Sequence, residues 1–260
     1  MGEDSGASTY ILGTEERRRL ELLEQCLDPM TARSLDCIGV EPGWRCLELG
    51  GGGGSVTRML CDRVGPAGRV LAVDLDTRFL EEIDADNLDV HRQNILTEGL
   101  PGDAYDFVHA RMLLMHLPTR EKFVEEMVGV LRPGGWLLVE DMDVFPFTEL
   151  AEGAFAEVLN AIISALYKVN ATARFGRQLP DLFDRAGLQD VEPVCEVPVF
   201  RGDSHFSNMF MASAAQMRPL IAASGITEEL LAEFGREMTD RTRWFSGFSV
   251  YSVRGRTPAA

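Results

Sequence analysis

The chain has 260 residues, 45% of them hydrophobic, with 25 basic and 41 acidic side chains and a formal charge of −16. This length supports one large α/β domain with an appended cap, or two small domains, and the apolar share is that of an ordinary globular core. Net acidity argues against a large nucleic-acid substrate, whose binding rests on neutralising phosphates, and no apolar stretch approaches the ~20 residues of a membrane span.

Met1-Gly-Glu-Asp-Ser-Gly lacks the basic and apolar regions of a signal peptide. The five cysteines form no C-x-x-C and read as reduced thiols, so a cytoplasmic location is expected. In chain order, Thr14 is expected to cap a helix running to about Leu27, with Leu20, Leu23 and Leu27 on one face. Asp28-Pro29 reads as the start of a second helix that Gly39 closes. Strands are expected near 44–49, 69–74, 88–93, 105–110 and 134–141, and helices near 54–63, 77–85 and 119–131. Such alternation predicts a parallel sheet with right-handed crossovers and a ligand beyond the carboxyl ends of the strands. Past Asp143 the pattern changes to a long amphipathic helix over 149–170 and, from Phe175, a further helix that leads to another strand. Helical patterns over about 205–223 and 227–239 then precede a last strand from Trp244.

The most informative segment joins the first strand to its helix, where five glycines run from Gly50 to Gly54. A glycine turn at a helix N-terminus lets the backbone approach a ligand and presents unpaired N–H groups to it. The dinucleotide pattern G-x-G-x-x-G fits in no register: starting from Gly50 its third glycine falls on Ser55, and starting from Gly51 it falls on Val56. E-x-G-x-G-x-G does fit, as Glu48, Gly50, Gly52 and Gly54. That pattern resembles motif I of the class I S-adenosylmethionine-dependent methyltransferases.

Other landmarks resemble the same family from about Tyr10 to Asp143. The second strand ends in Asp74, 24 residues after Gly50, the third carries Asn94, and Val130-Leu-Arg-Pro-Gly-Gly precedes the fifth. The resemblance implies an α/β fold, with a Rossmann-like seven-stranded, mostly parallel sheet, helices on both faces and an α-helical cap. The expected division is 1–40 as an N-terminal helical lid, 41–147 as the cofactor-binding core, 148–243 as the substrate cap, and 244–260 as the last strand and tail. S-adenosylmethionine is the implied cofactor. Gly50, Gly51 and Gly52 would hold its methionine end, with Glu48 near the ammonium. Asp74 would take the ribose and Asn94 with Ile95 the adenine, with Leu75 also at the cofactor. Ala110 and Arg111 would follow the fourth strand at the site, and Tyr10 would fold over the cofactor.

On the acceptor side, His116 stands at the methyl-transfer end, either as a general base or as a residue that orients its loop. Asp141 and Asp143 project to one side of the fifth strand. They could line a pocket, but no third oxygen ligand for a metal is evident, so none is expected. Tyr167 and Asn170 share a helix face and, with Asp143, are expected to touch the substrate. Met209, Met211 and Met217, with Phe206 and Phe210, read as core or subunit interface. The implied activity is methyl transfer to an O, N or C atom of a small molecule, in secondary metabolism, by a protein resembling the bacterial ubiquinone/menaquinone and secondary-metabolite group. A homodimer is expected, with no nucleic-acid or membrane partner. A S-adenosylmethionine binder that transfers nothing, as a scaffold or a cyclase, and a nucleotide-dependent oxidoreductase are the alternatives.

Overall fold

The computed structural model describes residues 16–102, 104–145 and 147–260; the expectations for Thr14 and Tyr10 lie outside them. The chain runs α1 (Glu16–Ile38), β1 (Arg45–Leu49), α2 (Ser55–Val64), β2 (Arg69–Asp74), β3 (Leu88–Arg92), α3 (Ile95–Glu98), β4 (Tyr105–Arg111), α4 (Arg120–Gly129) and β5 (Leu131–Asp143). It continues α5 (Phe147–Leu150), α6 (Gly153–Lys168), α7 (Leu179–Arg185), β6 (Gln189–Glu196), β7 (Val199–Arg201), α8 (His205–Gln216), α9 (Arg218–Ala222), α10 (Glu228–Thr239), β8 (Trp244–Ser246) and β9 (Ser249–Arg256). The main sheet has seven strands in the order β3-β2-β1-β4-β5-β9-β6. Its first five pair in parallel, and β9 runs antiparallel between β5 and β6. Strand order reverses beside β1, which puts the crevice for a ligand at the carboxyl ends of β1 and β4.

The near-continuous apolar runs of β1, β4 and β5 follow from burial on both faces. On one face Cys46, Val70 and Phe107 pack against Leu35 of α1 and Leu60 of α2. On the other, Leu47, Val108 and Leu137 meet Phe123 of α4 and Phe183 of α7. A third cluster builds the cap around Phe155 of α6, with the ring centroids of Phe147, Phe210 and Phe245 at 5.4, 5.4 and 5.2 Å. Aromatic packing at these separations adds to area burial. Among the described residues no helix is long and apolar enough to cross a membrane.

Three local expectations are corrected. The two N-terminal helices are one, with Pro29 inside it. Proline costs a helix a backbone hydrogen bond, but Leu22, Leu27, Met30 and Leu35 are all buried along the continuous helix, and packing overrides local propensity. Residues 77–85 form turns, not a helix, since Asp76, Asp84, Asp86 and Asn87 favour turns and side-chain-to-backbone bonds. The last strand is two strands: β8 pairs with β7, and β9 enters the main sheet after Gly247-Phe248.

Candidate functional site

The glycine loop lies at the carboxyl end of β1, with Gly50 at φ 70° and Gly52 at φ 53°, a region costly for any residue with a Cβ. Gly52 donates its N–H to Asp74 Oδ2 at 2.9 Å, and Asp76 donates to Oδ1 at 3.0 Å. Burial raises the Asp74 pKa, and these backbone donors oppose that rise. Beside Asp74, Leu75 is 46% exposed, and Leu96, across the end of β3, is 39% exposed. Ile95, partly buried, opens α3.

Asn94 caps α3: its Oδ1 accepts the Leu96 N–H at 3.1 Å, and its own N–H donates to Glu98 Oε1 at 2.7 Å. The side-chain carbonyl expected beside adenine is therefore already an N-cap acceptor. Gly51 faces the protein, where Leu80 fills the space a Cβ would need. Ala110 is wholly buried, so backbone alone can serve a ligand there.

Glu48 is placed differently from its expected role at an ammonium. It is buried, and its Oε2 lies 2.6 Å from His109 Nδ1, while His109 Nε2 lies 3.4 Å from Glu140 Oε2. Thr31 and Ser252 donate their hydroxyls to Glu140. Burial pushes the His109 pKa down, but Glu48 and Glu140 outweigh it and lift it to about 9. Burial would raise Glu140, but the hydrogen bond and charge of His109, with Arg111, bring it below the ordinary range. The imidazole is thus an imidazolium between two carboxylates in the middle of the sheet.

Arg111 also turns inward. It donates to Asp28 Oδ1 and Thr31 Oγ1, both at 2.9 Å, and to Ser55 Oγ at 3.2 Å, binding α1 and α2 to β4. Sequence reasoning missed this network and Glu24, whose Oε1 accepts the Ser55 N–H at 3.1 Å at the start of α2. The available signal was the charge itself: Glu48, His109 and Glu140 interrupt strands that are otherwise apolar, and buried charges are paired.

His116, expected on the acceptor side, lines a cavity of about 190 Å³. Its wall is formed by five methionines (Met112, Met115, Met142, Met209 and Met217), by Phe147, Phe210 and Phe248, and by the apolar face of α6 from Leu159 to Leu166. Arg19, His116, Ser213 and Gln216 supply its polar groups. Met209, Met217 and Phe210, expected as core or interface, thus line the cavity as well. His116 is partly buried on a 3₁₀ turn over Leu114–His116. Burial, aided by the charges of Arg19 and Arg120, pushes its pKa down to about 4, so the ring is neutral. Asp141 holds the turn by accepting the Met115 N–H at 2.9 Å, and burial lifts its pKa to about 7.

The other three substrate candidates lie off the cavity wall. Asp143 is fully buried and engaged by Arg177, whose Nη2 lies 2.6 Å from Oδ1, and by the Phe145 N–H at 2.8 Å. Tyr167 is 44% exposed on the outer side of α6. Asn170, at φ 59°, presents its carbonyl to Arg120 Nη2 at 3.1 Å. Helical spacing groups residues on a face but leaves open which face meets the cavity.

Comparison with known proteins bears on this geometry. A family model described as a methyltransferase domain matches residues 47–139, from β1 into β5. Methyltransferase str2 of Strobilurus tenacellus is 25% identical over 264 residues, covering 92% of this chain and 94% of that protein. The ubiquinone/menaquinone biosynthesis C-methyltransferase UbiE of Vibrio vulnificus is 32% identical over 128 residues, 46% of this chain and 49% of the enzyme, so that match spans about half of the relative. Among solved structures, a Bacillus halodurans protein described as a methyltransferase superposes with a TM-score of 0.58 at 18% identity, covering 87% of this chain and 98% of that one. Phosphoethanolamine N-methyltransferase 2 of Haemonchus contortus, solved with phosphomonomethylethanolamine and S-adenosylhomocysteine, gives 0.52 at 16% identity, covering 93% and 52%. The glycine loop, the strand-end carboxylate and the seven-stranded sheet agree with these matches: residues 47–139 match a methyltransferase domain, and the chain is similar to the class I S-adenosylmethionine-dependent methyltransferases.

Proposed function

We propose that the chain methylates an apolar small molecule held in the methionine-lined cavity. One observation carries this reading. Along α1, Leu20 and Glu24 lie against the glycine loop at Gly52 and Gly53, while Arg19 and Leu23 line the cavity. Adjacent faces of one helix therefore border both spaces, and the cofactor loop and the cavity are neighbours.

The residues fit the cofactor. Gly50 and Gly52 have the left-handed backbone the loop needs, Asp74 stands at a strand end, and Leu75 and Leu96 are exposed apolar side chains beyond β2 and β3. Bound S-adenosylmethionine supplies a methyl already activated on a sulfonium. The chain's part is to hold the methionine end at Gly50–Gly52, the ribose at Asp74, and the adenine between Leu75, Asn94 and Ile95. It also aligns the acceptor and excludes water, and positioning of this kind is worth up to ~7–11 kcal/mol. Residues 148–243 serve as the acceptor cap and the N-terminal helix as the cover over both ligands. Glu24 counts against an oxidoreductase: its carboxylate stands at the helix N-terminus where a dinucleotide pyrophosphate would lie. An apolar acceptor accords with a relative named for quinone biosynthesis, and we extend it to secondary metabolism in a reducing, cytoplasmic setting. The test is incubation with methyl-labelled S-adenosylmethionine and candidate acceptors. Label recovered in an extracted product supports transfer, whereas tight cofactor binding with no label moved by any of them supports the non-transferring reading.

Two variants probe the halves separately. Gly52→Val is expected to abolish S-adenosylhomocysteine binding while the protein remains folded, because a branched side chain at φ 53° is strained and is directed at Leu20 of α1, so the loop that would hold the ligand must shift. Calorimetry giving native affinity in a folded variant would remove the loop from the site. His116→Ala is expected to lower kcat about tenfold or more with cofactor affinity unchanged. Tyr167→Phe, on the outer face, is expected to leave both within about twofold, since surface changes away from special features have little effect.

A further inference from the structure

We propose that the acceptor is an acid, its reacting atom belonging to a group that is already an anion at neutral pH, with the Arg19 guanidinium as counter-charge. This deepens the preceding reading and rests on the cavity being the acceptor site.

The polar groups of the cavity gather in one corner. Glu16, buried, receives Arg19 through Nη2 at 2.5 Å and Nε at 3.2 Å, and Gln216 through Nε2 at 2.6 Å. Residues from α1 and α8 are thereby brought side by side, and Ser213 lies one turn before Gln216. Arg19 also acts electrostatically on His116, and both residues line the cavity. Among the described residues lining the cavity, Arg19 carries the formal charge, and no carboxylate lines it. Arg120 acts on His116 as a second positive charge from α4, with Asp141, which holds the turn, as the acidic group beside it.

Charge decides among acceptor classes. An ammonium group would meet the Arg19 guanidinium at the wall, while the corner's carboxylate, Glu16, does not line the cavity and is already engaged by Arg19 and Gln216, which is costly. An ordinary phenol or alcohol would need a base to take its proton, and the imidazole there has a pKa of about 4, far from the operating pH at which a general base works best. An anion meets neither obstacle. Carboxylates, enolised 1,3-dicarbonyl compounds and hydroxyquinones all have the required charge, joined to a body the apolar wall can bury. In the transfer, the anion's electron pair forms the bond to the methyl carbon as the carbon–sulfur bond breaks, and the pair from that bond stays on sulfur. One negative and one positive charge become two neutral products, and no proton moves. Because no proton has to be taken from such an acceptor, His116 can stay neutral and orient it by hydrogen bonding. The cavity, about 190 Å³, has room for a ring system, since an engineered apolar cavity of about 150 Å³ admits benzene.

The experiment uses the full chain saturated with S-adenosylhomocysteine at pH 7.5 and two probes with the same body, 2-naphthoate and 2-naphthylmethanol, titrated by calorimetry. We expect 2-naphthoate to bind about tenfold tighter or more, the scale of a charge-assisted contact. Arg19→Lys should keep that preference, and Arg19→Gln should erase it without altering S-adenosylhomocysteine affinity. Should Arg19→Gln not fold, the double variant Glu16→Gln/Arg19→Gln removes both members of the buried pair and is expected to show the same loss. Equal or tighter binding of the alcohol in the wild type overturns the proposal but leaves the cavity as an apolar acceptor site. A preference that survives loss of Arg19 also overturns it. Binding of neither probe overturns the proposal together with the assignment of the cavity.

Discussion

His109→Ala is expected to lower folding stability by about 3–5 kcal/mol, the cost of removing one partner from a buried ionic arrangement. In the native protein the imidazolium sits between Glu48 and Glu140, all three buried in the sheet. Alanine would leave two carboxylates a few ångströms from its cavity with Thr31, Ser252 and Arg111 as their remaining support. In a chain of this length the loss corresponds to a fall of about 10 °C in Tm. The pH dependence follows from the raised pKa. An unfolded imidazole titrates near 6.5 and the folded one near 9, so the stabilisation is complete below 6.5 and is lost as pH rises through 9. Denaturant titrations at pH 6, 7.5 and 9.5 should therefore show the gap between wild type and variant narrowing as pH increases. A variant melting within 2 °C of the wild type at pH 6 would exclude a charged imidazole from this position.

Asp74→Ala is expected to weaken S-adenosylhomocysteine binding by about 1.5–3 kcal/mol, the range of hydrogen bonds to a charged group. The carboxylate has two tasks. It would accept the ribose hydroxyls, and it already anchors the glycine loop through the Gly52 N–H at 2.9 Å. Asp74→Asn keeps one carbonyl oxygen for the loop and should fall between wild type and alanine. Unchanged calorimetric affinity in a folded Asp74→Ala protein would end the ribose assignment.

The parts of this protein legible in its sequence are those set by short-range pattern. Parallel strands buried on both faces read as apolar runs, and left-handed glycines read as a turn, so β1 to β5 and the loop at Gly50–Gly54 were placed from residues alone. What depends on tertiary partners was not legible. Pro29 breaks helices in general but lies inside α1, whose buried residues continue on both sides of it. Glu48 carries the family's spacing, yet its oxygen goes to His109, a residue 61 positions away. Met209 and Phe210 are core and cavity wall at once, because the cavity is a hollow within the cap's own apolar cluster. Asp143 was grouped with the pocket by strand periodicity, which identifies a face but not the arginine that occupies it.

The cavity wall and the cofactor loop come from different stretches of the chain. The matched domain ends at residue 139, whereas the walls from Met142 onward belong to β5's end, α6, α8, α9 and Phe248. On the proposed reading, mutations in those later elements would reshape what is methylated with less effect on the cofactor loop, although Met112, Met115 and His116 of the wall lie within the matched domain. Methionine, unbranched and polarizable, adapts to irregular contents, so intermediate forms along such a lineage can accept an old and a new substrate together. The one helix that cannot drift freely is α1, since Leu20 and Arg19 answer to both halves; a change of substrate that reaches α1 is subject to two selections at once.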